Sequence, residues 1–383
     1  MNEYSLLLLI LLPLSALSGW YFAIRSVRCG DTPVDIDNDK KRYFRGLNYL
    51  LQDQPDKAID IFIDMVNLDK DTVETHLALG SLFRKRGEVE RAIRIHQNII
   101  ARPNLDREQH ESAIYELAVD YFKAGLLDRA ESLLQELSDS KYFQVQALKR
   151  LQLVYQNERN WEEAVEVTQK LITLNDEESP ALLNNFVCEI IDNHLRSGRV
   201  VSARKVVKKN RVLLEKSPRA RMLMGRIEYK AENHKAAYHL FIETVELDMD
   251  YLPLVIIYLQ KSAQNINCQE RLELFLKEIS TEYRGIIPSL YLVDYIEKNS
   301  GRRSAAEFLL QQLEKNPSSR GLQKLLEYFD ALEQDHKGII KIIIDSIVDR
   351  KLLFKCNSCG FEAKNMYWRC PGCQSWDSIK PIK

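Results

Sequence analysis

Small and apolar residues recur through the middle of the chain with a period near 34. A small or central position falls at Gly46, Gly80, Ala118, Gln152, Ile191 and Gly225, at intervals of 34, 38, 34, 39 and 34 residues. Each is followed twelve positions later by an alanine: Ala58, Ala92, Ala130, Ala164, Ala203 and Ala237. Repeats of this length predict helix–turn–helix units that bury their apolar faces only by stacking on one another. In such a unit the small residues let two antiparallel helices approach closely, and larger ones such as Phe62, Leu134 and Phe241 fill the space between neighbouring pairs. Gly87, Gly125 and Gly198 fall where the two helices of a pair are joined, a position that favours glycine. Ser179-Pro180 and Ser217-Pro218 read as an N-cap followed by a first helical residue. Beyond about residue 250 the pattern weakens. Gly301, Ala306 and Leu310 repeat the turn, alanine and large-residue spacing, 251–285 reads as a degenerate unit, and Leu322 to Leu353 as a last pair. Eight or nine helical pairs are predicted over residues 39–350.

The N-terminus is patterned differently. From Tyr4 to Ile24 there are 21 consecutive uncharged residues, about 31 Å of helix and close to the thickness of a bilayer core. Trp20, Tyr21 and Phe22 close the run, and Arg25, Arg28, Lys40, Lys41 and Arg42 follow it, whereas only Glu3 and the amino group precede it. Aromatic and basic residues at that end predict one transmembrane helix over residues 1–25, with the bulk of the chain in the cytoplasm. A cleaved secretory signal is disfavoured by the missing basic n-region and the length of the run. Residues 26–38 read as a juxtamembrane linker.

Composition sharpens this picture. Gly and Pro number only 14 and 11 in 383 residues, which disfavours turn-rich β folds and glycine-cradled nucleotide folds. With 54 Lys plus Arg against 55 Asp plus Glu the net charge is -1, so the chain is not globally basic and a nucleic-acid partner is not expected. The strongest local bias lies between Arg196 and Arg221, where ten basic residues face one acid, Glu215. A solvated face neutralised by neighbouring repeats and a dock for an acidic protein or anionic headgroups are both compatible with it. The seven histidines form no H-E-x-x-H pair, and no G-x-G-x-x-G, Walker or G-x-S-x-G string occurs, so no catalytic residue is predicted.

Four of the seven cysteines crowd into the last 28 residues as two C-x2-C knuckles, Cys356/Cys359 and Cys370/Cys373. Two residues between thiolates let one tight turn present both sulfurs to a single ion, and Gly360 and Gly372 are the candidates for the unusual φ values of such turns. Residues 351–383 are too few to fold unaided, because a unit below about 40 residues buries too little surface. A metal, with Phe361, Tyr367, Trp368 and Trp376 as a small aromatic core, would complete the unit. Cys356, Cys359, Cys370 and Cys373 fill a tetrahedral shell and leave no open position, which favours structural Zn2+; iron is the alternative. Cys29, Cys188 and Cys268 belong to no motif.

The 34-residue period with its small residue and following alanine is similar to the tetratricopeptide family. Its chaperone-binding members carry Lys and Asn one turn apart on the first helix. Of the matching pairs here only Lys149/Leu153 supplies the lysine, so no carboxylate clamp is predicted. The string Cys-x2-Cys-Gly-Phe followed by Trp-x-Cys-Pro-x-Cys looks like a rubredoxin-type ribbon. Taken with the uncharged N-terminal run, the repeats and a closing signature of Cys356, Cys359, Gly360, Phe361, Tyr367, Trp368, Cys370, Pro371, Cys373, Trp376 and Ile379-Lys380-Pro381, the chain resembles the lipopolysaccharide assembly protein B family along its whole length. That resemblance implies an all-α tetratricopeptide-repeat superhelix with an N-terminal transmembrane helix and a C-terminal rubredoxin-type zinc ribbon at 351–383. It implies a non-enzymatic adaptor of the bacterial inner membrane that limits lipopolysaccharide synthesis. Such an adaptor would present the deacetylase of the lipid A pathway, LpxC, to the FtsH-type membrane protease; a scaffold among other lipopolysaccharide assembly proteins is the rival reading.

Overall fold

The computed structural model describes residues 20–21, 44–46, 48–49, 54, 57–61, 63, 73–177, 179–283, 285–328 and 353–382. The uncharged run 4–24, apart from Trp20 and Tyr21, lies outside them, as do the 26–38 linker with Cys29, Phe62, and residues 329–352. Among the described residues no helix is long and apolar enough to cross a membrane.

Two compact units are present, Met1–Val154 and Tyr155–Lys383. The first contains α1 (Val73–Lys85), α2 (Val89–Ile100), α3 (Arg107–Lys123) and α4 (Leu127–Glu136); α5 (Gln144–Glu158) begins in it. The second contains α6 (Trp161–Thr173), α7 (Ser179–Arg196), α8 (Val200–Lys209), the short α9 (Arg211–Leu214), α10 (Pro218–Lys230), α11 (His234–Leu247), α12 (Leu252–Asn265), α13 (Gln269–Ile279), α14 (Ile287–Ser300), α15 (Arg302–Lys315) and α16 (Ser319–Leu326). Seven helix–turn–helix pairs are complete among the described residues, and the weakly patterned 251–285 is one of them. Of the expected last pair only α16 lies within the described residues.

The small-residue logic accounts for the packing. Ala58, Ala92, Ala130, Ala164, Ala203 and Ala237 are all 0% exposed, so each sits where no larger side chain fits. A Cβ at Gly225 would lie 2.5 Å from Phe241 Cε1, and one at Gly80 would lie 2.4 Å from His96 Nε2. Both partners stand sixteen residues after their glycine, at the register of Phe62 and Leu134. Gly87, Gly125 and Gly198 have φ of 88°, 77° and 73°, the left-handed conformation that ends one helix and starts the next. In the pairs without such a glycine the same conformation is forced on Arg159, Glu232 and Asn267.

Ser217 is the N-cap anticipated for α10, its hydroxyl accepting from Ala220 N–H at 3.2 Å with Pro218 following. Ser179 differs: it lies inside the first turn of α7, and its hydroxyl donates to Asp176 Oδ2 at 2.6 Å. In the first unit a buried polar network replaces an apolar contact. His96 Nδ1 pairs with Asp120 Oδ2 at 2.5 Å, both fully buried, and Arg84 bridges Asp120 at 2.6 Å and Glu116 at 2.5 Å. Every charged group of this network has a partner, the condition under which ionic groups tolerate burial.

Candidate metal centre and its seat

Residues 354–381 carry a three-stranded antiparallel sheet, the only sheet among the described residues. β1 (Phe354–Cys356) lies between β2 (Glu362–Ala363) and β3 (Ile379–Pro381), with Phe354 opposite Ala363 and Pro381, and Cys356 opposite Ile379. Each knuckle is a backbone-bonded loop. Gly360 N–H donates to Cys356 O at 2.9 Å and Cys356 N–H to Phe361 O at 2.8 Å; Gln374 N–H donates to Cys370 O at 2.8 Å and Cys370 N–H to Ser375 O at 2.9 Å. The left-handed residue comes four positions after the first cysteine in both, as Gly360 (φ 77°) and Gln374 (φ 62°). Gly372, anticipated for that role, does not take it; its α-carbon instead lies beside the sulfurs, where a Cβ would be 3.5 Å from Cys359 Sγ.

The four Sγ atoms of Cys356, Cys359, Cys370 and Cys373 all lie within 4.8 Å of one another. Cys356–Cys373 and Cys359–Cys370 are each 3.7 Å apart. A sulfur tetrahedron around Zn2+ with Zn–S of about 2.3 Å has edges of about 3.8 Å, whereas a disulfide would bring sulfurs to about 2.05 Å. The spacing fits a tetrathiolate ion and not two disulfides. The Ser378 hydroxyl, 3.3 Å from Cys356 Sγ, holds that thiol down at about 6. The Ser375 hydroxyl, 3.3 Å from Cys373 Sγ, lowers that thiol too. At Cys359 a backbone hydrogen bond at Phe361 favours the thiolate, but desolvation and the three neighbouring sulfurs outweigh it and push the thiol up to about 12. Sulfurs this close cannot all ionise alone; a divalent cation removes that conflict by neutralising them together. When bound, a zinc ion here would supply a closed cross-link between the two knuckles, with no position for substrate.

The aromatic residues anticipated as the ribbon's own core divide. Phe361 packs with Phe354, Met366 and Ile379 around the buried Cys356 and Cys370, while Tyr367 is 42% exposed. Trp368 and Trp376 pack instead on the helices. Trp368 stacks on Tyr251 at 5.8 Å between centroids. Trp376 meets Trp161 at 6.2 Å and Phe186 at 5.9 Å edge-on, and its indole N–H donates to Gln156 Oε1 at 3.4 Å. A sheet of three two- or three-residue strands has no opposite layer to cover two indoles, so the helical array provides it.

Between the two tryptophans lies Arg219, 2% exposed. Its guanidinium carbon is 4.5 Å from the Trp368 centroid and 6.0 Å from that of Trp376. Nη2 pairs with Glu189 at 2.6 Å and Nη1 donates to Asn185 Oδ1 at 3.4 Å. At the rim, Lys380 pairs with Asp248 at 2.6 Å over the Tyr251 ring, and Arg369 donates to Asn157 Oδ1 at 3.3 Å. Cys188 is fully buried, and burial pushes its thiol up to about 12, so it stays protonated and unreactive. Sequence reasoning placed Arg219 in the basic stretch and missed Trp161, Phe186, Tyr251 and Asp248 altogether. The available signal was the excess of tryptophan in a ribbon too small to bury it.

Paired-helix repeats with a four-cysteine rubredoxin-type ribbon seated on them define a tetratricopeptide-type protein with a C-terminal metal-ribbon domain. Residues 354–381 match the rubredoxin metal binding domain family and residues 75–108 the tetratricopeptide repeat family. The chain is 35% identical over 383 residues to lipopolysaccharide assembly protein B of Escherichia coli strain K12, covering 98% of both chains. It is 32% identical over 390 residues to the protein of the same name from Haemophilus influenzae, again covering 98% of both. The chain belongs to the lipopolysaccharide assembly protein B family.

Proposed function

We propose that this protein is a non-enzymatic adaptor in lipopolysaccharide assembly, held at the inner membrane by residues 1–25 and linked through 26–38 to a cytoplasmic solenoid over 39–350 and a zinc ribbon over 351–383. The observation that carries the reading is the end-to-end relation to proteins named for lipopolysaccharide assembly. A repeat surface of protein size and an uncharged N-terminal run of bilayer length support it. In this reading the adaptor brings the lipid A pathway deacetylase to an FtsH-type membrane protease. Tethering both near one membrane raises the local concentration of substrate at the protease, so turnover is controlled without any chemistry by the adaptor. Cys356, Cys359, Cys370 and Cys373 hold Zn2+ in a structural role.

The deciding experiment is the half-life of the deacetylase in cells depleted of this protein. A lengthened half-life is expected. An unchanged half-life together with defective lipopolysaccharide export would replace the proteolytic adaptor by a scaffold for the assembly machinery, the reading that the relatives' name also favours. Metal analysis and an absorption spectrum of the purified chain test the ion: a colourless protein with one zinc per chain is expected, and a red iron protein would reverse the assignment.

A further inference from the structure

Between Arg196 and Arg221, carboxylates engage four of the ten basic residues: Arg196 with Asp192, Arg204 with Glu228, Arg219 with Glu189 and Arg221 with Glu243. The other six, Arg199, Lys205, Lys208, Lys209, Arg211 and Lys216, are exposed and have no carboxylate partner among the described residues. Neutralisation by neighbouring repeats therefore covers fewer than half of these charges. Among them stand Val212 at 87% and Val201 at 71% exposure, the two most exposed large apolar side chains of the described residues.

The arrangement has a face. Val201, Lys205 and Lys208 are spaced four and three residues apart along α8, which places them on one side of that helix, and past the break at Asn210 the exposed Val212 stands on α9. The opposite side is fixed in the core: Ala203 and Leu214 are fully buried, and Val200, Val206, Val207 and Leu213 pack against the same cluster. The inner face holds the helix rigidly and the outer face presents lysines with isolated aliphatic side chains between them. Protein interfaces are depleted in lysine and anchored by aromatic residues or arginine in pockets, and neither α8 nor α9 carries an aromatic residue. A basic helical face with protruding aliphatic residues suits an anionic bilayer surface, where lysines meet phosphate and the aliphatic groups enter the headgroup boundary.

We propose that the outer face of α8 and α9 docks on anionic phospholipid headgroups, with Lys205, Lys208, Lys209 and Lys216 on the phosphates and Val201 and Val212 seated among the headgroups. The contact rests on the reading that residues 1–25 anchor the chain in the bilayer, and would be a second membrane contact, made by the fifth repeat.

Acetylation footprinting of the full chain in nanodiscs tests this. Nanodiscs of phosphatidylcholine alone are compared with nanodiscs rich in phosphatidylglycerol, with the exposed Lys261 and Lys315 as internal references. Acetylation of Lys205, Lys208, Lys209 and Lys216 is expected to fall several-fold in the anionic discs only. The protection should vanish in about 1 M salt, where the Debye length is about 3 Å. In the K205E/K208E/K209E variant, whose changes lie on exposed positions and should leave the circular dichroism unchanged, Lys216 is expected to lose its protection. Equal acetylation in both lipids would overturn the proposal. So would protection that arises in neither lipid until soluble polyglutamate is added, which would assign the face to an acidic polypeptide.

Discussion

Replacing Arg219 with Ala isolates the joint between ribbon and helices. The substitution removes a cation from two indole faces, an interaction worth about 2 kcal/mol when desolvated. It also deletes one partner of a buried ion pair, which costs about 3–5 kcal/mol where the remaining charge is stranded. Glu189 keeps 18% of its side chain exposed, so water rehydrates it and the lower end applies. Both effects belong to one guanidinium and do not add, so the loss is about 3 kcal/mol, or about two powers of ten in the docking equilibrium. Hydrogen exchange of residues 354–382 in the full chain reads this directly: exchange of the ribbon is expected to accelerate by that factor while α3 in the other unit is unaffected and the metal content is unchanged. Arg219→Lys should fall between, because it keeps the charge and loses the planar stack. Unchanged ribbon exchange in Arg219→Ala would refute the argument that this residue holds the ribbon in its seat.

Other substitutions test separate parts of the structure. Trp376→Ala should cost about 3–5 kcal/mol in denaturant unfolding, whereas Tyr367→Ala, at an exposed position outside the seat, should stay within about 0.5 kcal/mol. Gly225→Ala drives a Cβ into Phe241 and should lower stability by about 1–3 kcal/mol, visible as a lower thermal midpoint; an unchanged midpoint would mean the helices separate freely. Cys356→Ser with Cys359→Ser should abolish metal binding by the four-cysteine site and expose the ribbon to exchange while helical circular dichroism persists. Ser140, 2.5 Å away, and Arg107 hold the Glu111 carboxyl below its ordinary 4.5. A depressed carboxyl contributes stability that is present above its unfolded value and is lost as pH falls through the folded one, so Glu111→Gln should flatten the acid side of the stability profile below about pH 4.5.

Much of the fold was legible because helical pairing imposes a short-range rule. An alanine twelve residues after a small or central residue is a steric demand repeated in six units, and all six predicted alanines are fully buried. Turn glycines were legible for the same reason, although Arg159, Glu232 and Asn267 show that a turn can impose the conformation on other residues. His96 was not legible: it stands where other repeats have Phe62, Leu134, Thr168, Val207 and Phe241, and only Asp120, 24 residues later, explains why an imidazole is tolerated there. Gly372 was misjudged because a glycine between two cysteines is ambiguous between a positive φ and a close approach to sulfur.

The sequence by itself determined the repeat period, the helical pairing, the four sulfurs and the family signature, because each depends on residues within one unit of chain. Only the tertiary structure decided where Trp368 and Trp376 pack, that Arg219 is a buried partner of the ribbon and not part of a solvated basic face, and which six cations of that stretch lack a carboxylate among the described residues. Those outcomes depend on contacts between residues up to 220 positions apart, as in Trp376 and Gln156, and burial or pairing over such distances is set by how the helices stack and not by local spacing.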